Sequence, residues 1–269
     1  MEPKPLDHDA LSPVEIARKV ERVGVAKAHT DGLTLILLAI LAGAFISMGC
    51  LFYLVVTTDS RLGFGPLRFF GGLAFCLGLI LVVVAGAELF TGNNLIAMAW
   101  ASKLIGGRAV LRNWLIVYVG NVIGCLGTVG LAWAANLGAL GKGAMGTNAI
   151  QIAVAKSQLS IGEELSRGLL CNALVCLAVW LTMSGRSVAD KILAILFPVT
   201  AFVALGLEHS IANWFLLPYG LLLDQQKTVS VTGAVQNLVF VSLGNIVGGT
   251  MMVAGIYWVA YLRTPKPSL

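Results

Sequence analysis

The sequence predicts an all-α membrane protein whose six transmembrane helices form two inverted three-helix repeats, with helices 2 and 5 broken. Three observations carry this expectation. Of 269 residues, 58% are hydrophobic and only 12% are charged. Soluble domains carry roughly 25% charged residues, so lipid must solvate much of this apolar surface. Charge-poor runs fall at 33–56, 67–102, 112–135, 167–184, 191–223 and 231–262, each near or above the roughly 20 residues that cross a bilayer core. The first three runs also share spaced polar residues and glycines with the last three. Glycine, at 31 residues, suits helices that pack closely in lipid.

The first 30 residues place Val14, Ile16, Ala17, Val20 and Val23 at helical spacing among charges. This pattern predicts an amphipathic surface helix, and no cleavable signal peptide is visible. Residues 31–262 form the six-span domain, and 263–269 a short tail. Six spans put both termini on one side, and 12 of the 18 Lys and Arg fall there, among them Lys4, Lys27 and Lys266. The positive-inside bias makes that side the cytoplasm, with the inner membrane as the site. Orientation thus accounts for much of the +5 net charge. The charges sit at the ends of apolar runs rather than along a face, which argues against a nucleic-acid partner.

The second and fifth runs, each about 34 to 36 residues, are too long for one crossing. Each also carries polar groups at mid-run: Glu88, Thr91, Asn93 and Asn94, then Glu208, His209, Ser210 and Asn213. Tilt explains extra length. It does not explain polar groups at bilayer depth, each costing a few kcal/mol or more unless satisfied. A helix broken near the midplane explains both.

The two runs match each other. Gly86-Ala87-Glu88 precedes Asn93 as Gly206-Leu207-Glu208 precedes Asn213. Asn113, Gly120-Asn121 and Gly124 are echoed by Asn237, Gly244-Asn245 and Gly248, and Trp133 by Trp258, at an offset of about 120 to 125 residues. Three spans is an odd number, so the second copy enters from the opposite face. Proteins on this plan place a permeation site between the broken helices.

A half-helix amino terminus attracts anions through unpaired N–H groups and its dipole. Thr91, Asn93, Ser210 and Asn213 are suitable caps there, whether they face a ligand or only satisfy the backbone. His209 is the lone intramembrane histidine, since His8 and His29 lie in the amino-terminal segment. With an unperturbed pKa of about 6.5 it can exchange protons, or it can be a neutral packing residue; Asn172 is a partner that would orient its ring. Glu88 and Glu208 would repel anions in a pore, so they read as acceptors for freed backbone N–H groups, with cation coordination as the functional alternative. Lys156 reads as a solvated loop lysine, and Phe75, Leu79, Phe90 and Phe202 as ordinary apolar residues. Cys50, Cys76, Cys125, Cys171 and Cys176 lie in apolar runs without CxxC spacing, which predicts reduced packing residues and neither disulfide nor metal. One intramembrane histidine cannot make a bis-histidine haem site. No cofactor and no enzymatic activity are expected.

Ala87-Glu88-Leu89-Phe90-Thr91-Gly92-Asn93-Asn94 resembles the loop that interrupts the second helix of the formate/nitrite transporter family. Gly206-Leu207-Glu208-His209-Ser210-Ile211-Ala212-Asn213 resembles the family's signature in the broken fifth helix. Supporting stretches are Cys171–Trp180, Ser184–Ser187 and Leu243–Gly249, and the similarity runs from about residue 12 to 263. The resemblance implies an aquaporin-like fold assembled as a homopentamer with one pore per protomer. It implies a channel for small monovalent anions, formate first, with proton-linked passage through apolar constrictions around His209. Leu79 with Phe202 would form one constriction and Phe75 with Phe90 the other. Thr91 matches a residue that helps gate the path, Asn172 the histidine's partner, and Lys156 a lysine of the outer vestibule. The stretch after Thr91-Gly92-Asn93 is more similar to the branch associated with formate dehydrogenases, which brings nitrite and hydrosulfide within reach. A water- or glycerol-like pore is the other alternative; its filters usually include an intramembrane Arg, and none stands at either break.

Overall fold

The structure, a computed structural model, describes residues 10–263. Residues 1–9, with Lys4 and His8, and 264–269, with Lys266 and nearly all of the expected tail, lie outside the described residues. Among the described residues the chain is helical, without a strand.

Local chemistry sets many of the helix starts. Helix α1 (Pro13–His29) opens on a capping box, with Ser12 accepting from the Glu15 N–H and the Glu15 carboxylate accepting from the Ser12 N–H. Hydrogen bonds from Ser12 hold the Glu15 carboxyl below its ordinary value of 4.5. Its buried stripe is Ile16, Ala17, Val20, Gly24 and Ala28. Asp31 caps α2 (Gly32–Thr57) through the Thr34 N–H. Helix α3 (Phe64–Ile80) widens into a π-helical turn over Leu81–Gly86. The backbone then leaves helical geometry until a 3-10 turn at Gly92–Ile96 leads into α4 (Ala97–Ala101). Helix α5 (Gly107–Ala134) follows.

After a 3-10 turn at Leu137–Ala139 come α6 (Ala144–Ser157) and α7 (Ile161–Ser184), the latter opened by a Ser160–Glu163 capping box. Helix α8 (Val188–Ala204) starts on Ser187 and Asp190, and its end is separated from α9 (Ser210–Leu223) by residues 205–209. Helix α10 (Val231–Val247) passes through a π-helical stretch, Gly248–Gly255, into α11 (Ile256–Tyr261).

Among the described residues, five helices are long and apolar enough to cross a membrane: Gly32–Thr57, Phe64–Gly86, Gly107–Ala134, Ile161–Ser184 and Val231–Tyr261. A shorter apolar helix is Ser210–Leu223. Large apolar side chains such as Leu33, Leu131 and Phe197 face outward, where water would oppose them and lipid would not. The most extensive packing joins α2 to α5 and to α3, α7 to α10, and α3 to α8. Glycine permits the closest of these approaches. A side chain at Gly124 would run into the Ile40 carbonyl of α2, and one at Gly248 into the Leu169 carbonyl of α7.

Candidate functional site

A glycine in the left-handed region stands where each interruption starts, Gly86 at φ +85° and Gly206 at φ +69°. Glycine enters that region without the Cβ strain that other residues meet there. The chain can therefore turn sharply out of α3 and α8.

The two interruptions are held by matching networks of side chains. At the first, the Lys27 ammonium of α1 donates to Glu88 at 2.7 Å and to Asn93 Oδ1 at 3.0 Å. Asn93 donates to Glu88 at 2.7 Å and to Asn113 Oδ1 at 3.0 Å. Asn113 in turn donates to the Lys27 carbonyl at 3.0 Å. At the second, the Lys156 ammonium of α6 donates to both Glu208 oxygens, at 2.8 and 2.9 Å. Asn213 donates to Glu208 and to Asn237 Oδ1, each at 2.7 Å, and Asn237 to the Lys156 carbonyl at 3.2 Å.

These networks correct three expectations. Glu88 and Glu208 do not take the freed backbone N–H groups, because lysine and amide donors already occupy their carboxylates. Asparagines on α5 and α10 take them instead: the Phe90 N–H donates to Asn121 Oδ1 and the Ser210 N–H to Asn245 Oδ1, both at 2.9 Å. Asn121 and Asn245 also donate to the Glu88 and Glu208 carbonyls, at 2.9 and 3.0 Å. Lys156 is no loop residue; it stands in the last turn of α6. Nor do Asn93, Asn213, Thr91 and Ser210 serve as side-chain caps. The cap of α9 is His209, and the Ser210 hydroxyl is buried without a partner.

The interruptions meet at one hydrogen bond. The Ala212 N–H donates to His209 Nδ1 at 3.1 Å. That leaves the ring proton on Nε2, which donates to Thr91 Oγ1 at 2.9 Å. Asn172 does not orient this ring. Its amide is drawn to three oxygens, the Thr91 carbonyl at 3.3 Å, Asn94 Oδ1 at 2.8 Å and the Asn245 carbonyl at 2.7 Å. The Ala212 amide sets the tautomer instead, and Phe202 sets the ring plane, stacked 5.9 Å away at 18°.

A cavity of about 190 Å³ is lined by Lys156, Glu208, Arg68, Phe75, Phe202 and His209. Another, of about 340 Å³, is lined by Lys27, Glu88, Leu79, Leu89, Gly92 and Val179. The apolar residues are grouped differently from the expected pairs. Phe75 meets Phe202, with centroids 5.6 Å apart. Leu79, one turn further along α3, serves the other cavity beside Leu89. Phe90 packs edge-on against Tyr118 at 4.9 Å. Among the described residues no three His, Cys, Asp or Glu cluster to hold a metal.

Apolar helices around cavities that converge on two hydrogen-bonded interruptions define an integral membrane protein of the transporter class. The chain belongs to the formate/nitrite transporter family, whose model matches residues 14–259. The formate channel FocA of Escherichia coli (strain K12) is 41% identical over 273 residues, covering 95% of this chain and 96% of the relative. A solved pentameric formate channel with formate bound matches with a TM-score of 0.81 and 39% identity, over 86% of this chain and 98% of its own. A solved FNT family ion channel matches at 0.83 and 25% identity, over 93% and 99%.

Proposed function

We propose that this chain is a formate channel, assembled as an aquaporin-like homopentamer in the inner membrane with both termini cytoplasmic. Each protomer crosses six times as two inverted repeats, with the second and fifth helices broken at residues 87–91 and 205–209. The Lys156-side cavity then opens outward and the Lys27-side cavity inward. The observation that carries this reading is the Thr91–His209 hydrogen bond between the interruptions, with a cavity beside each. Similarity to the formate channel of E. coli favours formate over nitrite and hydrosulfide.

A bare anion sheds its hydration at Phe75 and Phe202, which costs many kcal/mol in an apolar site. Formate therefore takes up a proton that the outer solution supplies through water in the outer cavity and crosses as the acid, one proton accompanying each formate. His209 stays neutral, because its Nδ1 is occupied as an acceptor, and donates through Nε2. The Thr91 hydroxyl proton is then available to the passing carboxyl group. Beyond Leu79 the acid ionises in the inner cavity.

The test is uptake in proteoliposomes across pH, with formate, nitrite, hydrosulfide and glycerol side by side. His209→Asn keeps a cap acceptor but loses the Nε2–H donor, and His209→Leu loses both. Each should lower proton-linked formate uptake about tenfold, the rate equivalent of one hydrogen bond. Unchanged flux at every pH in both variants removes His209 from transport. Faster glycerol than formate flux in the wild type would replace the channel reading with a neutral-solute pore.

A further inference from the structure

The obvious lure for an anion, Lys156, is not a free charge. Glu208 binds its ammonium through both oxygens, so the pair is neutral as a unit. Two other basic residues line the same cavity, Arg68 and Arg167. Arg167 is paired with Glu163 at 2.9 Å. Arg68, near the start of α3, has no carboxylate within ion-pair distance among the described residues. Its guanidinium lies over the Phe64 ring, with the carbon 5.5 Å from the centroid. One nitrogen reaches over Gly206, 3.2 Å from where a Cβ would stand. The glycine that turns the chain out of α8 also leaves the space in which this cation sits.

We propose that Arg68 is the residue that recruits the substrate anion, a small monocarboxylate, at the mouth of the Lys156-side cavity, with Phe64 as the platform that holds it there. This rests on the formate-channel reading. The chemistry fits on two counts. A planar guanidinium offers a fork of donors that matches a carboxylate bidentately, and its weak hydration makes exchange of water for anion cheap. A ring face contacts the guanidinium plane and leaves its edge donors free. With Lys156 and Arg167 each held by a carboxylate, Arg68 is the basic residue of the cavity lining that has no ion-pair partner among the described residues. The field of its charge acts over about 8 Å at physiological ionic strength and weakens as salt is added.

The experiment is formate uptake into proteoliposomes of uniform orientation, with the Lys156 side facing the substrate. Arg68→Gln should raise the half-saturating formate concentration on the order of three- to tenfold, the low end of what focused charge achieves, with the maximal rate unchanged. Its half-saturation should also lose most of its dependence on ionic strength. Arg68→Lys should restore the salt dependence, because the charge returns, without the full affinity, because the fork does not. Phe64→Leu should fall between wild type and Arg68→Gln. Half-saturation and salt dependence identical in Arg68→Gln and wild type would overturn the role of Arg68 alone. A wild-type protein that moves no formate overturns the channel reading and the carboxylate ligand with it. Should Arg68→Gln fail to assemble, salt titration of the wild type still decides: half-saturation that does not rise with salt overturns the proposal.

Discussion

At the scale of single residues, the most consequential contact is the ion pair of Lys156 and Glu208, whose side chains are 15% and 4% exposed. Removing one member of so buried a pair leaves the other charge stranded, at a cost of about 3–5 kcal/mol. Lys156→Met should therefore lower the thermal unfolding temperature in detergent far more than Lys156→Met combined with Glu208→Gln. Additive single effects would show that the two do not act as a pair. The matching pair, Lys27 and Glu88, is more exposed, at 26% and 12%, so Lys27→Met should cost less. Sequence makes part of this centre legible. Thr91, His209, Glu88 and Glu208 stand out because a polar group inside an apolar run needs a partner. Lys27 does not stand out, since it belongs to an amphipathic helix whose other charges are ordinary surface charges. Asn121 and Asn245 are visible as repeat markers, but their task of taking the Phe90 and Ser210 N–H groups depends on which helices come to face each other. The same holds for Phe75 against Phe202, a contact between α3 and α8 that no spacing along the chain encodes.

At the scale of elements, the interruptions depend on two left-handed glycines. Gly86→Ala meets no neighbouring atom within 4 Å, so its cost is backbone strain alone, about 1–2 kcal/mol. Gly206→Ala carries the same strain and also crowds Arg68. Chemical or thermal unfolding should rank Gly206→Ala below Gly86→Ala, and both below wild type; equal stability of all three would show that the left-handed turns are not required. The long helices are legible because apolar runs of 20 or more residues admit little else in lipid. Residues 87–91 and 205–209, where the backbone departs from helix, lie inside the two overlong runs. The π-helical stretches at Leu81–Gly86 and Gly248–Gly255 carry no comparable signal, because a widened turn changes which carbonyl is met and not which residue types are used. Helix α6 is obscured for another reason: its small, mixed residues from Ala144 to Ser157 resemble a linker in composition.

At the scale of the whole molecule, the proposed topology places α1 and the α9–α10 connection on opposite faces. All five cysteines are free and buried, so they should stay silent to a membrane-impermeant maleimide. Cysteine placed at the exposed Ala10 should then label only from the cytoplasmic side, and cysteine at the exposed Gln226 only from outside. Labelling of both from one side would end the odd count of crossings between them. The paired networks also redraw where each half of the chain begins. Lys27 serves Glu88 from the helix before α2 as Lys156 serves Glu208 from the helix before α7. The amphipathic α1 is thus the counterpart of α6 and no appendage to a finished bundle. On this correspondence, losing α1 would strip Glu88 of its ammonium just as losing α6 would strip Glu208 of its own.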